Sequence, residues 1–173
     1  MSGRVLIRLC DPDDPAKLHE AFAAVGWDKP VALFERYLHE HAAMSRHLLL
    51  AEVDGTVAGY VTLVWKSEYP PFAEEGIPEV SDLNVLPRFR RSGIASGLLD
   101  QIEQAAAQRS SVVGLGVGLY ADYGAAQRIY VRRGYIPDGR GVMYENQPVP
   151  AGETVPLDDD ATLMFTKQID RHP

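Results

Sequence analysis

Residues 79–99, EVSDLNVLPRFRRSGIASGLL, constrain the fold more than any other stretch of the chain. The first seven residues read as a strand, which Pro87 ends because proline has no N–H to donate to a ladder. From Gly93 onward Ala95, Leu98, Leu99, Ile102 and Ala106 recur at helical spacing, so an amphipathic helix runs to about Arg109. Between strand and helix lies Arg90-Arg91-Ser92-Gly93-Ile94-Ala95. The first turn of a helix leaves backbone N–H groups without intrahelical acceptors, and the helix dipole adds positive potential there. A phosphate or pyrophosphate suits such a place. Gly93 lets the backbone approach a ligand, Ala95 is small, and Arg90 and Arg91 add charge. An ordinary strand–loop–helix connection with exposed arginines would read the same way. No Gly-Lys-Ser/Thr follows, so this is not a Walker loop, and Gly-x-Gly-x-x-Gly is absent, so it is not a dinucleotide fingerprint.

The rest of the chain supplies alternating strands and helices. RVLIRL opens as a strand, and the spacing of Leu18, Ala21, Phe22 and Val25 predicts a helix with Asp14 as N-cap and Pro15 at its first position. A second helix carries Leu33, Phe34, Tyr37 and Leu38, with His39 and His41 complementing its C-terminal dipole. Asp54-Gly55 between two apolar runs predicts a hairpin. Residues 66–78 read as a loop whose Tyr69 and Phe72 serve either as part of a plain connector or as a substrate wall. Gly114, Gly116 and Gly118 strip one face of a fifth strand, which implies close approach of a backbone or ligand. Asp122 is the expected N-cap of a helix bearing Ala126, Ile129, Tyr130 and Arg133, closed by Gly134. Residues 138–160 read as loop-rich, with GVMYE as a candidate strand, and ATLMFTKQI as the last strand. The run Asp158-Asp159-Asp160 reads first as a solvated turn and second as an attractor for a cationic amine.

Bulk properties narrow the class. At 173 residues with 46% hydrophobic and 24% charged residues, one soluble domain spanning 1–173 is expected. Apolar runs fall far short of the roughly 18 residues a membrane helix needs, and MSGRVLIRLC lacks the core of a signal peptide. A net charge of −7 argues against a nucleic-acid binder. The single cysteine, Cys10, permits no intrachain disulfide and suits a cytoplasmic setting. No Cys, Asp or Glu at metal-ligand spacing accompanies the histidines, so no metal is expected.

Two spaced motifs add a family resemblance. Leu83-x-Val85-x-Pro87-x-x-Arg90-x-x-Gly93-Ile94-Ala95, followed by Leu98-Leu99, resembles motif A of the Gcn5-related N-acetyltransferases (GNAT). Ala126-x-x-Ile129-Tyr130-x-x-x-Gly134-Tyr135 resembles motif B. The resemblance implies an α/β (α+β) fold with a central mixed, largely antiparallel twisted sheet of about six or seven strands, flanked by about four helices and splayed between strands four and five. It implies acetyl-CoA as co-substrate, an amine acceptor and direct transfer without a covalent intermediate, with a homodimer as a common family assembly. Within it, the amides of Arg90, Arg91, Ser92, Gly93, Ile94 and Ala95, with Ser96 next, hold the pyrophosphate. Leu83, Asn84 and Val85 pair with the pantetheine arm, and an N–H near Val85 polarises the thioester carbonyl. Tyr130 matches the residue that protonates the leaving thiolate; a core tyrosine is the other reading. Glu79 and Asp82 are both candidate bases, as is a water chain, because a bulge in this strand breaks the alternation that would decide between them.

Two departures stand out. Tyr123 occupies the place of a family asparagine that contacts CoA. Arg90-Arg91-Ser92-Gly93 replaces Arg-Gly-x-Gly, which is expected to be tolerated if the backbone there is helical. The resemblance implies an acetyltransferase acting on a small-molecule amine: an aminoglycoside, a polyamine or an amino-acid-like compound. The alternatives are a catalytically silent acyl-CoA-binding module and a protein-lysine or N-terminal acetyltransferase.

Overall fold

Asp54 and Gly55 close the hairpin that the sequence announces, both with positive φ, +49° and +77°, the angles a two-residue turn requires. The turn joins β2 (Arg46–Val53) to β3 (Thr56–Val64) in antiparallel register. The computed structural model describes residues 3–170, so the ends of the expected 1–173 domain lie outside the described residues. Its backbone divides into two compact units, Met1–Val64 with Ser81–Ala105, and Trp65–Val80 with Ala106–Pro173.

The first unit holds β1 (Val5–Leu9), α1 (Asp14–Ala23), α2 (Val31–Ala42), β2, β3, the larger part of β4 (Glu79–Val85) and most of α4 (Ile94–Ala107). Its core gathers Leu18, Phe22, Phe34, Leu48, Leu50, Tyr60 and Leu86. The Tyr60 ring meets Phe22 at 5.3 Å and Phe34 at 5.1 Å, both edge-on. Edge-to-face pairs of this kind add about 0.5–1.5 kcal/mol beyond the area they bury.

Asp14 is not the N-cap of α1. That place falls to Asp13, and Asp14 stands at the first helical position. Its fully buried carboxylate is drawn instead to Arg8 of β1, with Nη1 at 2.6 Å and Nη2 at 2.9 Å, and it accepts the Asp11 N–H at 2.8 Å. Glu52 shares the same guanidinium at 3.0 Å. Burial would raise the Asp14 pKa, but the Arg8 and Asp11 hydrogen bonds and the Arg8 charge outweigh it and hold it below the ordinary value.

The second unit holds the start of β4, α3 (Pro70–Glu75), β5 (Val112–Gly118), α5 (Gly124–Arg132), β6 (Ile136–Tyr144), β7 (Gln147–Pro148) and β8 (Ala161–Gln168). The parallel β4–β5 ladder comprises Glu79↔Gly114 and Val80↔Leu115, and β5, β8, β6 and β7 follow in antiparallel order. Three local expectations change here. Residues 66–78 contain a helix, α3, because two prolines suit a helix start and Gly76, at φ +67°, ends it. Asp122 does not cap α5; it lies in a 3₁₀ turn, Ala121–Tyr123, that precedes the helix. Residues 136–144 form one strand that takes in the candidate strand GVMYE and extends it back to Ile136 through the stretch read as loop, with an interruption between Pro137 and Val142, where Gly139 and Gly141 take positive φ. Those glycines are why the segment reads as loop.

The expected mixed α/β class holds. The strand order is β1-β2-β3-β4-β5-β8-β6-β7, mostly antiparallel with one parallel pair. Eight strands replace the expected six or seven because the two-residue β7 is counted. Among the described residues no helix is long and apolar enough to cross a membrane.

Asp14 contributes stability above its unfolded pKa, roughly 4, and loses it as pH falls through its lower folded value. Replacing Arg8 by Leu leaves that carboxylate buried without its partner and is expected to cost about 3 kcal/mol at neutral pH. Urea midpoints measure the loss, and the deficit should narrow as pH drops below about 4.

Candidate active site

Asp82 takes φ +52° in the middle of β4, a left-handed break in the strand where the family resemblance implies a bulge. A left-handed angle costs a non-glycine residue on the order of 1–2 kcal/mol, and aspartate tolerates it better than most. Four donors converge on the Asp82 carboxylate. Lys29 Nζ and Asn84 Nδ2 donate to Oδ1 at 2.8 and 2.7 Å. The Tyr60 and Tyr37 hydroxyls donate to Oδ2 at 2.6 and 3.0 Å. Burial would raise the Asp82 pKa, but the Lys29 ammonium and the hydrogen bonds from Lys29, Tyr60 and Tyr37 together hold it below the usual value. The other side of the strand is gripped by β3. Thr62 Oγ1 donates to the Ser81 carbonyl at 3.0 Å, and a Cβ on Gly59 would stand 2.4 Å from the Asn84 carbonyl. Glycine is required there by this close approach.

Past β4 the chain makes a 3₁₀ turn at Pro87–Phe89, with Phe89 N–H on the Leu86 carbonyl and Arg90 N–H on the Pro87 carbonyl. The Ser92 hydroxyl donates to the Phe89 carbonyl. Gly97 N–H reaches Gly93 O at 2.9 Å as α4 begins, so the amides of Ile94, Ala95 and Ser96 are those a first turn leaves without intrahelical acceptors. The loop is not helical at the substituted position. Arg91 has φ +60° and Gly93 φ +85°. Arg91 therefore adopts the left-handed angle that the family glycine would take freely. Arg90 donates through Nε to the Val85 carbonyl at 3.4 Å, and its guanidinium faces Trp27 at 5.5 Å.

In the second unit the glycine-stripped face of β5 is filled by side chains. A Cβ on Gly114 would meet the Phe72 ring, one on Gly116 the Met164 sulfur, and one on Gly118 the Tyr123 ring. What approaches closely is therefore protein. Tyr69 and Phe72, read as a wall, are buried here, and the Tyr69 hydroxyl donates to Asp138 at 2.8 Å. Tyr123 donates to Asp159 at 2.9 Å, as does Tyr120, and the Tyr144 hydroxyl reaches Asp158 at 3.1 Å. The acidic run forms the exposed turn that is the first reading of the sequence, and within it Asp158 and Asp159 also accept tyrosine hydroxyls. Glu79 accepts the Ser67 hydroxyl, whose oxygen in turn accepts the Tyr69 N–H at 3.0 Å. Tyr130 is buried on α5 against Tyr135, and burial alone pushes its phenol up to about 12.

Of the residues singled out from the sequence, Asn84 donates to Asp82 on β4 and Arg90 reaches back to the Val85 carbonyl. Spacing missed Lys29, Tyr37, Tyr60 and Ser67. One signal was present: a tyrosine inside the apolar run of β3 has to find a partner for its hydroxyl. Cys10 plays no nucleophilic part, because burial and then the neighbouring Asp14 charge push its thiol up to about 12. Among the described residues no cluster of His, Cys, Asp or Glu could hold a metal ion.

The sequence matches the acetyltransferase (GNAT) family over residues 14–135, and the chain belongs to that family. No curated protein matches it. Among solved structures it is similar to the GNAT-family acetyltransferase of Streptococcus pneumoniae, at 19% identity and TM-score 0.69, covering 96% of this chain and 99% of that one. YncA of Salmonella typhimurium, seen with its cofactor acetyl-CoA, is similar at 18% identity and TM-score 0.70, covering 98% and 96%. RimL, a ribosomal L7/L12 alpha-N-protein acetyltransferase seen with coenzyme A, is similar at 15% identity and TM-score 0.72, covering 97% and 96%.

Arg91→Gly relieves the left-handed strain while adding some unfolded-state entropy. It should raise stability by about 0.5–1 kcal/mol, read as an upward shift of the urea midpoint with unchanged slope.

Proposed function

We propose that the protein transfers the acetyl group of acetyl-CoA to the primary amine of a small, amino-acid-like acceptor. The observation that carries the catalytic part of this reading is Tyr130. Its phenol matches the family position for the thiolate acid, is buried on α5, and has no carboxylate contributing to its pKa, so its proton is not already committed to one. A domain that merely bound acyl-CoA would have no use for it. The first-turn amides of α4, with Arg90, Arg91, Ser92 and Gly93 before them, would take the pyrophosphate. The backbone of Leu83, Asn84 and Val85 would pair with pantetheine, with an N–H near Val85 polarising the thioester carbonyl. The amine nitrogen attacks the carbonyl carbon, a C–N bond forms and the C–S bond breaks. Glu79, at the head of β4 and bonded by Ser67, is our candidate for the group that takes the amine proton, and Tyr130 gives its proton to the departing thiolate. Asp82 is a poor base, since both oxygens are engaged and its pKa is lowered. Tyr123, hydrogen-bonded to Asp159 and laid on Gly118, would meet CoA through its ring edge rather than replace an asparagine amide.

The acceptor class rests on a cavity in the second unit. It has a volume of about 450 Å³ and is lined by Tyr69, Pro70, Pro71, Arg140, Met143 and Pro148, with Asn146 and Gln147 at the β6–β7 turn. Its lining comes from residues 66–78, for which a substrate wall is one of the two readings of the sequence, and from residues 138–160. Arg140 is its one charged lining residue, with its guanidinium 3.6 Å from Glu75 and 3.8 Å from Asp138, and two carboxylates of the acidic run already accept tyrosine hydroxyls. Polyamines and aminoglycosides fit this poorly; an amine that also carries a carboxylate fits better. A buried lone cysteine and the absence of any need for an oxidising compartment support a cytoplasmic setting.

Thiol release from acetyl-CoA across an amine panel tests the reading. The panel holds amino acids, a polyamine, an aminoglycoside, a lysine peptide and a free peptide N-terminus. The highest kcat/KM is expected for a carboxylate-bearing small amine. Preference for the polyamine or a peptide would overturn the acceptor class, and tight CoA binding without acceptor-dependent thiol would overturn the enzyme reading. Tyr130→Phe should lower kcat about 100-fold with little change in acetyl-CoA affinity; an unchanged rate with saturating cofactor would sink its role.

A further inference from the structure

We propose that Asp82 and Lys29 are positioning residues. Together they set the backbone of residues 83–85 for the acetyl group, and neither one exchanges a proton with the amine. This rests on the acetyl-CoA reading above for its functional consequence, but the geometry that motivates it stands on its own. A strand residue at φ +52° is held in place only where its surroundings over-determine it. Here the carboxylate accepts hydrogen bonds from four donors on separate pieces of chain. Lys29 lies between α1 and α2, Tyr37 on α2, Tyr60 on β3, and Asn84 two residues along β4 itself. Each donor fixes a different direction, so the aspartate cannot relax to an extended angle without breaking several of them at once.

Lys29 is the member of this set whose chain placement is least expected. It reaches 2.8 Å from Asp82, and its ammonium also lies 5.6 Å from the centre of the Tyr60 ring. Its own backbone is fastened, since the Lys29 carbonyl accepts from His19 Nδ1 at 2.8 Å. Two residues earlier Trp27 stacks on Phe22 at 5.6 Å and faces the Arg90 guanidinium. The connection between α1 and α2 is therefore tied both to Asp82 of β4 and to the loop that opens α4. On the far side, Gly59 admits the Asn84 carbonyl at a distance no other residue would allow. The backbone of residues 83–85 is clamped between the charged cluster and the glycine. A polarising N–H must point where the oxyanion develops, and misplacement by about 1 Å can cost about 100-fold in rate.

The test uses Lys29→Met, Asp82→Asn, the double variant and Lys29→Arg in the full chain, with Tyr37→Phe as the mild variant. Backbone amide exchange at Leu83, Asn84 and Val85 is measured in the free protein, and kcat and KM with acetyl-CoA and the best amine of the panel. Exchange at those three amides should rise at least 10-fold in Lys29→Met and 2- to 5-fold in Tyr37→Phe, while amides of α4 stay protected. In the folded variants kcat should fall 10- to 100-fold, with KM for acetyl-CoA changing less than 3-fold. The double variant should be no slower than the slower single, Lys29→Arg should recover most of the rate, and the acid limb of the rate profile should stay in place. Unchanged exchange at residues 83–85 would overturn the clamp whether or not the protein turns over any amine. A kcat within 2-fold of the parent in folded Lys29→Met, or loss of the acid limb in Asp82→Asn, would overturn the positioning role. Absence of turnover by the parent itself would strike the acetyltransferase reading and leave the exchange result to decide the clamp. If Asp82→Asn fails to fold, Lys29→Met and Tyr37→Phe decide alone.

Discussion

A single carboxylate, Asp82, is satisfied by a lysine, two tyrosines and an asparagine in mid-strand, and the first unit is arranged around that fact. Tyr60 can bring its hydroxyl there because its ring is wedged edge-on between Phe22 and Phe34. Tyr37 arrives from α2, whose apolar side packs into the same core. Removing the carboxylate's charge would leave an ammonium and two buried hydroxyls seeking partners, and unpaired polar groups in such a place are costly. Asp82, the α1–α2 connection and the aromatic core are therefore one cooperative arrangement rather than three.

The same economy of partners recurs in the second unit. Glycines of β5 that leave space are met by Phe72, Met164 and Tyr123. The carboxylates of Asp138, Asp158 and Asp159 each accept a tyrosine hydroxyl. Tyr130 differs from its fellows: nothing but burial moves its pKa, so its proton is not already committed to a carboxylate.

Much of this was legible in the sequence, for local reasons. The hairpin, the α4 entry, the Gly134 helix stop and the α/β class follow from periodicity and turn chemistry, which act over a few residues. An irregularity in β4 was expected only through the family resemblance, and the left-handed angle of Asp82 needed the fold. Lys29 and Asp82 are 53 positions apart, and no spacing rule links them. The Arg91 angle was misjudged because arginine gives no sign of a left-handed residue; the neighbouring loop, not the side chain, imposes it. α3 was missed because consecutive prolines read as a breaker although they also suit a helix start. The carboxylate run is solvated as read, but its tyrosine partners lie far away in the chain and leave no trace in the local pattern.

The central claim is that Asp82 is a permanently ionised pin rather than a titrating base. Its side-chain carboxyl carbon can be followed by NMR through an acid titration of the intact protein. A midpoint below the ordinary aspartate value of 3.8, shifting upward in Lys29→Met, is the result the account predicts. A midpoint at or above that value, and above all one near neutrality, would contradict it and return Asp82 to the role of proton acceptor.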